Sequence, residues 1–192
     1  MFLKRQDPYM LIVGMAGVKL GDELLQVGCA HGGRLAALAG KVGLSGRAVA
    51  VVPDDASAER ARKGAAAAGV LVDVEVAPPT RLPQTSDTVD LAIVDDTSGV
   101  IGSGSGEHRV ASIRELRRVL RPGGRALIVG TAPRTGLSGL ISRGRAGPEF
   151  ALSGEAGKAL ESEGFRAVRT LAEREGLVFV EAIKPRSGDG DR

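Results

Sequence analysis

The chain has 192 residues, of which 43% are hydrophobic and 26% are charged, so it is long enough for one folded domain with a substantial core. It carries 26 Lys and Arg against 23 Asp and Glu, only 3% aromatic residues, and one cysteine. A small positive charge with few aromatic rings argues against nucleic acid as a partner. One cysteine excludes an intramolecular disulfide, and we expect a reducing, cytoplasmic location.

The N-terminal segment, residues 1–20, is expected to be helical or extended. Lys4 and Arg5 precede an apolar run over residues 10–18, which is too short to span a bilayer. An acidic residue and Pro8 interrupt its similarity to a secretion signal, and no small-residue cleavage site follows. We therefore predict a packed helix or turn at the start of the chain and no membrane span.

After this segment, short apolar strands alternate with helical patterns, which indicates a parallel sheet covered by helices on both faces. We predict strands at 24–27, 48–52, 71–76, 91–94 and 126–129, and helices at about 32–42, 55–68, 110–120 and 153–163. The third strand alternates valines with carboxylates, a pattern that is typical of a sheet edge. Two last strands, 165–171 and 177–183, are predicted to pair as an antiparallel hairpin around the turn 172–176. The tail, 185–192, is expected to be flexible.

The turn after the first strand is the candidate ligand site, because open parallel sheets bind ligands at the carboxyl ends of their strands. It reads Val27-Gly28-Cys29-Ala30-His31-Gly32-Gly33. Glycines let the chain turn sharply and let a ligand approach the amides at a helix N-terminus. The spacing does not match the G-x-G-x-x-G pattern of dinucleotide sites, which argues against a nicotinamide cofactor. A tight connection without a ligand is the alternative.

Three stretches of the sequence resemble the motifs of one enzyme family, the class I S-adenosylmethionine-dependent methyltransferases. Residues 25–32 are similar to its glycine motif, residues 81–83 with 87–91 to its approach to the fourth strand, and residues 114–125 to its helix and turn before the fifth strand. The resemblance extends from about Gly21 to Ile183. It implies a doubly wound, Rossmann-like, mostly parallel seven-stranded α/β sheet of order 3-2-1-4-5-7-6 with an antiparallel C-terminal hairpin, in a domain over residues 21–184. It also implies S-adenosyl-L-methionine as cofactor.

The resemblance assigns site residues to the carboxyl ends of the first four strands. The implied cofactor-binding residues are Gln26, Gly28, Cys29, Ala30, Gly32, Val52, Asp54, Thr80 and Asp95. Asp95 and His31 are the candidate catalytic residues. Asp95 ends the fourth strand, where members of the family often have residues that face the methyl group and the acceptor. Asp95 and its neighbour Asp96 are equally suited to capping the next loop or pairing with an arginine, and the alternative for His31, a solvent-facing loop histidine, is the more common case. We expect no metal site.

Three departures from the family pattern leave the function open. An acid usually stands where this chain has Gln26, a second where it has Val52, and a third, near the adenine, where it has Pro78. Asp54 lies two residues after Val52 and is the candidate ribose ligand. Hydrogen bonds to charged groups contribute about 1.5–3 kcal/mol each, so each missing acid would weaken cofactor binding unless another group replaces it. The chain is therefore either a methyltransferase that holds its cofactor by backbone amides, Gln26, Asp54 and apolar contacts, or a catalytically silent binding or scaffolding protein.

The segment 131–150 bears on the methyl acceptor, which we expect to be a small molecule. It contains Arg134, Arg143 and Arg145 among glycines and serines. Arginines suit an acidic acceptor such as a carboxylate or a phosphate, and a solvated loop is the alternative. The sequence does not indicate an oligomeric state.

Overall fold

The computed structural model describes residues 8–132 and 149–186 of the chain. The elements are α1 (Met10–Ala16), β1 (Glu23–Val27), α2 (Gly32–Val42), β2 (Arg47–Val52), α3 (Asp55–Ala68), β3 (Asp73–Val76), β4 (Val89–Asp95), α4 (Gly106–Val119), β5 (Leu120–Thr131), α5 (Glu155–Ser162), β6 (Arg166–Arg174) and β7 (Leu177–Ile183). A short 3₁₀ turn, Asp96–Ser98, follows β4. Strands and helices alternate as the hydrophobic patterns predict.

The strands form one seven-stranded sheet in the order β3-β2-β1-β4-β5-β7-β6. Neighbours from β3 to β5 run parallel, whereas β7 runs antiparallel to both β5 and β6. The Rossmann-like fold, the strand order and the C-terminal hairpin implied by the resemblance are confirmed. The edge position of β3, which its alternating pattern indicated, is confirmed as well.

Successive residues of each strand face opposite layers of the core. Leu24 of β1 packs with α1 and α2, whereas its neighbour Leu25 packs with α4 and α5. A smaller apolar cluster joins α2 to α3 beside β2. The sheet is therefore covered on both faces, and its strand ends are left as the edges where loops meet.

Side-chain caps explain where two helices begin. Asp54 caps α3, since its Oδ1 accepts a hydrogen bond from the backbone N–H of Ser57 at 2.7 Å. Ser105 caps α4 by accepting from the N–H of His108 at 3.2 Å, so α4 begins four residues before the apolar stripe that predicted it. Asp, Asn, Ser and Thr are favoured at this position because the first amides of a helix have no partner within the helix.

The connection from β3 to β4 contains no helix, and a charged pair on α4 holds it in place. The N–H of Leu82, a buried residue, donates to Glu115 Oε2 at 2.8 Å. The guanidinium of Arg118 donates to the carbonyls of Leu82 and Gln84 at 2.8 and 2.9 Å and to Glu115 at 2.7 Å. One ion pair thus satisfies three backbone groups of a segment that is neither helical nor paired with a strand.

Several element boundaries differ from the prediction, and the largest difference is that β5 begins at Leu120 and not at residue 126. The hairpin turn is two residues long, Glu175-Gly176, and not 172–176, because both residues have positive φ (56° and 77°), as a tight type I′ turn requires. The third strand begins at Asp73, and Leu71 before it is 82% exposed. The predicted strand began two residues too early because the alternation of apolar and polar residues continues into the loop before β3.

Within the described ranges, no helix is both long and apolar enough to cross a membrane. The same residues contain no group of three or more His, Cys, Asp or Glu side chains that could hold a metal ion.

The Glu115–Arg118 pair should make stability pH-dependent. The hydrogen bond from Arg118 holds the pKa of Glu115 below its ordinary value, so this contribution is present above the unfolded pKa of about 4.3 and is lost as the pH falls through the folded pKa. Glu115→Gln should lower the free energy of unfolding by about 1–2 kcal/mol near pH 7, and by less below about pH 3.5. Urea denaturation across this range measures both values.

The matched control is Glu59→Gln, which removes an exposed i,i+4 pair with Lys63 on α3 and should change stability little. A Glu115→Gln penalty that is the same at neutral and acid pH would contradict the ion pair as its source.

Candidate functional site

The turn between β1 and α2 is packed tightly between β2 and the loop that follows β4. Gly28 has φ 81°, and its N–H donates to the carbonyl of Val51 at 2.8 Å. A Cβ at this position would lie 2.9 Å from the carbonyl oxygen of Asp95 and 3.0 Å from Val100 Cγ1. Glycine is therefore required here both by the left-handed backbone and by the close approach of the β4 end.

Asp95 places a buried carboxylate against this turn. The residue is 1% exposed, and its Oδ2 accepts the N–H of Ala30 at 3.0 Å. Its Oδ1 accepts the hydroxyl of Thr97 at 2.6 Å and lies 3.5 Å from Nη1 of Arg34. Arg34 Nη1 also donates to Thr97 Oγ1 at 3.1 Å. Because the charge is paired and hydrogen-bonded, its burial is tolerated.

Gln26 brings an unsatisfied acceptor to the same turn. It is 1% exposed, and its Nε2 donates to the carbonyl of Gly28 at 2.9 Å. Its Oε1 is buried and has no hydrogen-bond partner among residues 8–132 and 149–186. An unsatisfied buried acceptor costs about 1–3 kcal/mol, so a donor on a ligand or a water molecule would be favoured at this atom.

Asp96 caps the loop after β4, one of the two roles that the sequence left open. It is fully buried, and its Oδ1 accepts the N–H groups of Ile101 and Gly102 at 2.8 and 2.9 Å. Burial raises the pKa of this carboxyl group. The loop is thus fixed against the end of β4 and covers Gly28 through Val100.

Asp54, Val52 and Thr80 lie after or at the ends of the next two strands. Asp54 is exposed, and hydrogen bonds from Ser57 hold its pKa below the ordinary value. One of its oxygens is used as the cap of α3. Val52 is fully buried in the apolar cluster of α2 and α3. Thr80 is half-buried in the turn after β3.

The remaining turn residues differ in accessibility. His31 is exposed and caps α2 without a side-chain hydrogen bond. Cys29 is buried, and its carbonyl accepts from Arg60 Nε at 3.2 Å. Gly32 lies at the contact of α2 with α3, where a Cβ would clash with the carbonyl of Arg60 and lie 3.0 Å from Gly64 Cα. Gly32 is therefore required for helix packing, whatever it binds.

Two site residues, Arg34 and Thr97, escaped the sequence analysis. Arg34 lies in the first turn of α2, where the helix dipole disfavours a cation. A cation at that position is a usable signal, because it indicates an anionic partner nearby. Here the partner is Asp95, 61 positions away in sequence, which no local pattern identifies.

A surface pocket of about 540 Å³ adjoins the loop after β4, at Gly102 and Ser103. Arg109 forms one wall, donating to the carbonyl of Gly102 at 2.6 Å and to Glu155 at 2.6 Å. Its guanidinium lies 5.1 Å from the ring centre of Phe150. The lining residues are Gly102, Ser103, Arg109, Glu149, Phe150, Ser153 and Glu155. Arg134, Arg143 and Arg145, the basis of the acidic-acceptor prediction, lie outside the described residues.

Comparison with known proteins identifies the class. A family model described as a methyltransferase domain matches residues 24–124, more than half of the chain. The chain belongs to this methyltransferase-domain family. No curated protein matches it.

Solved structures share the fold at low sequence identity. A SAM-dependent methyltransferase from Aquifex aeolicus is 24% identical, with 92% of this chain and 93% of that chain covered and a TM-score of 0.73. The [4+2]-cyclase SpnF is 16% identical, with 92% and 79% covered and a TM-score of 0.68. A SAM-dependent O-methyltransferase from Thermotoga maritima is 19% identical, with 93% and 65% covered and a TM-score of 0.67.

The cofactor of this family is S-adenosyl-L-methionine, and the residues at the turn fit its amino-acid end. That end carries an ammonium and a carboxylate, and the paired charges of Asp95 and Arg34 lie at the turn, while the buried, unsatisfied Gln26 Oε1 belongs to the strand that leads into it. The fit is poorer at the ribose and adenine positions, where Val52 and Pro78 provide no acid.

The buried turn predicts an unreactive thiol. Burial raises the pKa of Cys29 to about 11, so only about one molecule in a thousand carries the thiolate near pH 8. Ellman's reagent should react with the native protein far more slowly than with the protein unfolded in guanidinium. Labelling of the native protein at the unfolded rate would contradict the packing of this turn.

Proposed function

We propose that the protein transfers a methyl group from S-adenosyl-L-methionine to a small-molecule acceptor in the cytoplasm. Family membership supports methyl transfer in general. The observation that carries the proposal for this chain is the network of Asp95, Arg34 and the Ala30 amide at the glycine turn, with the unsatisfied Gln26 oxygen on the strand that leads into the turn. It combines both signs of charge with an unsatisfied acceptor at the strand end where this fold binds its ligand.

Each member of the network has a role in this proposal. Asp95 and Gln26 Oε1 would accept hydrogen bonds from the ammonium group of the cofactor, and Arg34 would attract its carboxylate. Gly28 and Ala30 would shape the turn, since their amides already donate to Val51 and Asp95, and the amides of Cys29 and Gly32 would be the backbone donors to the cofactor. Since Asp95 and Arg34 already lie 3.5 Å apart, they are organised before binding, which lowers the entropic cost of association.

Asp54 and Thr80 are the proposed ribose and adenine contacts; the Val52 side chain is fully buried, so only its backbone would contact the cofactor. Asp54 uses one carboxylate oxygen for the α3 cap, so its other oxygen would serve the ribose hydroxyls. Thr80 follows β3 on the same edge of the sheet.

Methyl transfer makes few demands on catalytic groups. When bound, the cofactor supplies an electrophilic methyl group on a sulfonium, and the protein mainly aligns it with the acceptor. A base is needed only if the acceptor must lose a proton. His31, exposed at the turn, is the proposed proton acceptor, and Asp95 is the proposed residue that orients the acceptor.

The reacting atom of the acceptor must lie in line with the methyl group at the glycine turn, so the pocket of about 540 Å³ lined by Gly102, Arg109 and Phe150 would hold only a more distant part of the acceptor. This volume lies within the range of about 300–1,000 Å³ that small-molecule sites occupy. An acidic acceptor remains part of the proposal because three arginines lie in the segment 133–148; the pocket itself does not support it, since Arg109 is paired with Glu155 and Glu149 also lines the pocket.

Ligand binding tests the network. Wild type should bind the demethylated cofactor, S-adenosyl-L-homocysteine, more tightly than about 100 μM and melt at a higher temperature in millimolar ligand. Arg34→Gln and Asp95→Asn should each weaken this binding by about tenfold or more, because each leaves a ligand charge unpaired. Isothermal calorimetry measures the affinities, and circular dichroism checks folding.

Arg62→Gln, which makes the same charge change on the exposed surface of α3, is the control and should bind as wild type does. If wild type binds neither the cofactor nor its product, the silent binding or scaffolding protein becomes the better explanation. Normal binding by Arg34→Gln would remove Arg34 from the site.

A second pair of variants separates the two roles of Asp54. Asp54→Ser keeps a capping oxygen for α3 but is too short to contact a ribose, whereas Asp54→Ala loses both. Both should lose affinity for S-adenosyl-L-homocysteine by about tenfold, but only Asp54→Ala should melt at a clearly lower temperature. Wild-type affinity in Asp54→Ser would leave Asp54 with the capping role alone.

A further inference from the structure

An apolar surface lies at the opposite edge of the sheet from the glycine turn. A groove of about 310 Å³ runs between the ends of α2 and α3 and the starts of β2 and β3. Leu44 and Leu71 line it and are 95% and 82% exposed. Leu20, 77% exposed, lies against Gly43, which also lines the groove. We call this surface, residues 20, 39–48 and 69–73, the leucine face.

Scattered exposed leucines are ordinary, but exposed leucines gathered around one groove are not. The groove is hollow because the facing positions of α2 and α3 carry small side chains or none, at Ala39, Gly40 and Gly69. Leu44 and Leu71 stand at its rim. The face therefore offers both projecting apolar side chains and a recess to receive them.

Opposite charges lie side by side on this face. Arg47 Nε is 2.8 Å from Asp73 Oδ2, and the two side chains are 59% and 58% exposed. In an interface with twofold symmetry, residue i of one copy contacts residue j of the other and j contacts i, so an off-axis pair of opposite charges can lie against the same pair reversed on the other copy. The charge pattern is therefore complementary to itself, as the projecting leucines and the recess are.

We propose that the leucine face binds a second copy of this chain about a twofold axis. Leu44 and Leu71 of each chain enter the groove of the other, and Arg47 faces the partner subunit's Asp73. The inference does not depend on the proposed function, because the face shares no residue with the candidate site.

The geometry of the sheet keeps the two candidate sites apart in such a dimer. β2 begins at Arg47 on the leucine face and ends at Val52, beside the glycine turn. Its six residues separate the two edges by roughly 20 Å. The glycine turns would therefore point away from the shared interface, and both would remain open to ligand.

Sedimentation equilibrium tests the dimer. Wild type should sediment as a dimer at about 100 μM and dissociate on dilution, and Leu44→Asp and Leu71→Asp should each raise the dissociation constant at least about tenfold. Both positions are so exposed that a carboxylate there should not disturb folding. Met10→Asp replaces an apolar residue of α1 that is 62% exposed and lies outside the face, so it should dimerise as wild type does.

Charge reversal tests the twofold arrangement itself. Arg47→Glu and Asp73→Arg should each weaken self-association, because like charges then meet across the axis. An equimolar mixture of the two variants should restore dimers, since each variant supplies the charge that the other lacks. A wild-type monomer at about 100 μM, an unchanged dimer in Leu44→Asp, or no recovery in the mixture would each overturn the proposal.

Discussion

One buried charge fixes the carboxyl edge of this sheet. Asp95 is carried by β4 into an environment where an unpaired carboxylate would cost several kcal/mol. Its oxygens are satisfied by the Ala30 amide and the Thr97 hydroxyl, with the Arg34 guanidinium nearby. These contacts join β4 to the turn after β1 and to the first turn of α2. Removing one partner would leave the others buried without compensation, so the turn is held in one shape.

The same contacts bear on the acids that the resemblance implies. At the end of β1 this chain has Gln26 where an acid is expected, and the carboxylate that contacts the turn is Asp95 of β4. Fold alone does not fix the reaction, and a cyclase is among the similar structures. The function therefore has to be argued from these residues.

The sequence identified what depends on local pattern. Periodicity predicted the order of strands and helices, the glycine turn, and the edge position of β3. Periodicity did not identify the Asp95–Arg34 pair, nor the hydrogen bonds of Glu115 and Arg118 to the backbone of Leu82, because such contacts join residues distant in the chain. Leu71 was assigned to a strand because its neighbours alternate. Its exposure depends on where β3 meets β2, which the alternation does not encode.

The contact between Gly32 and Gly64 has a dynamic consequence. With no side chain between them, α2 and α3 touch through their backbones, and no rotamer change is available to let one helix slide past the other. The two helices should therefore move as a single rigid block. An opening that admits or releases a small molecule at the glycine turn would therefore involve the loop after β4, which packs against Gly28 through Val100.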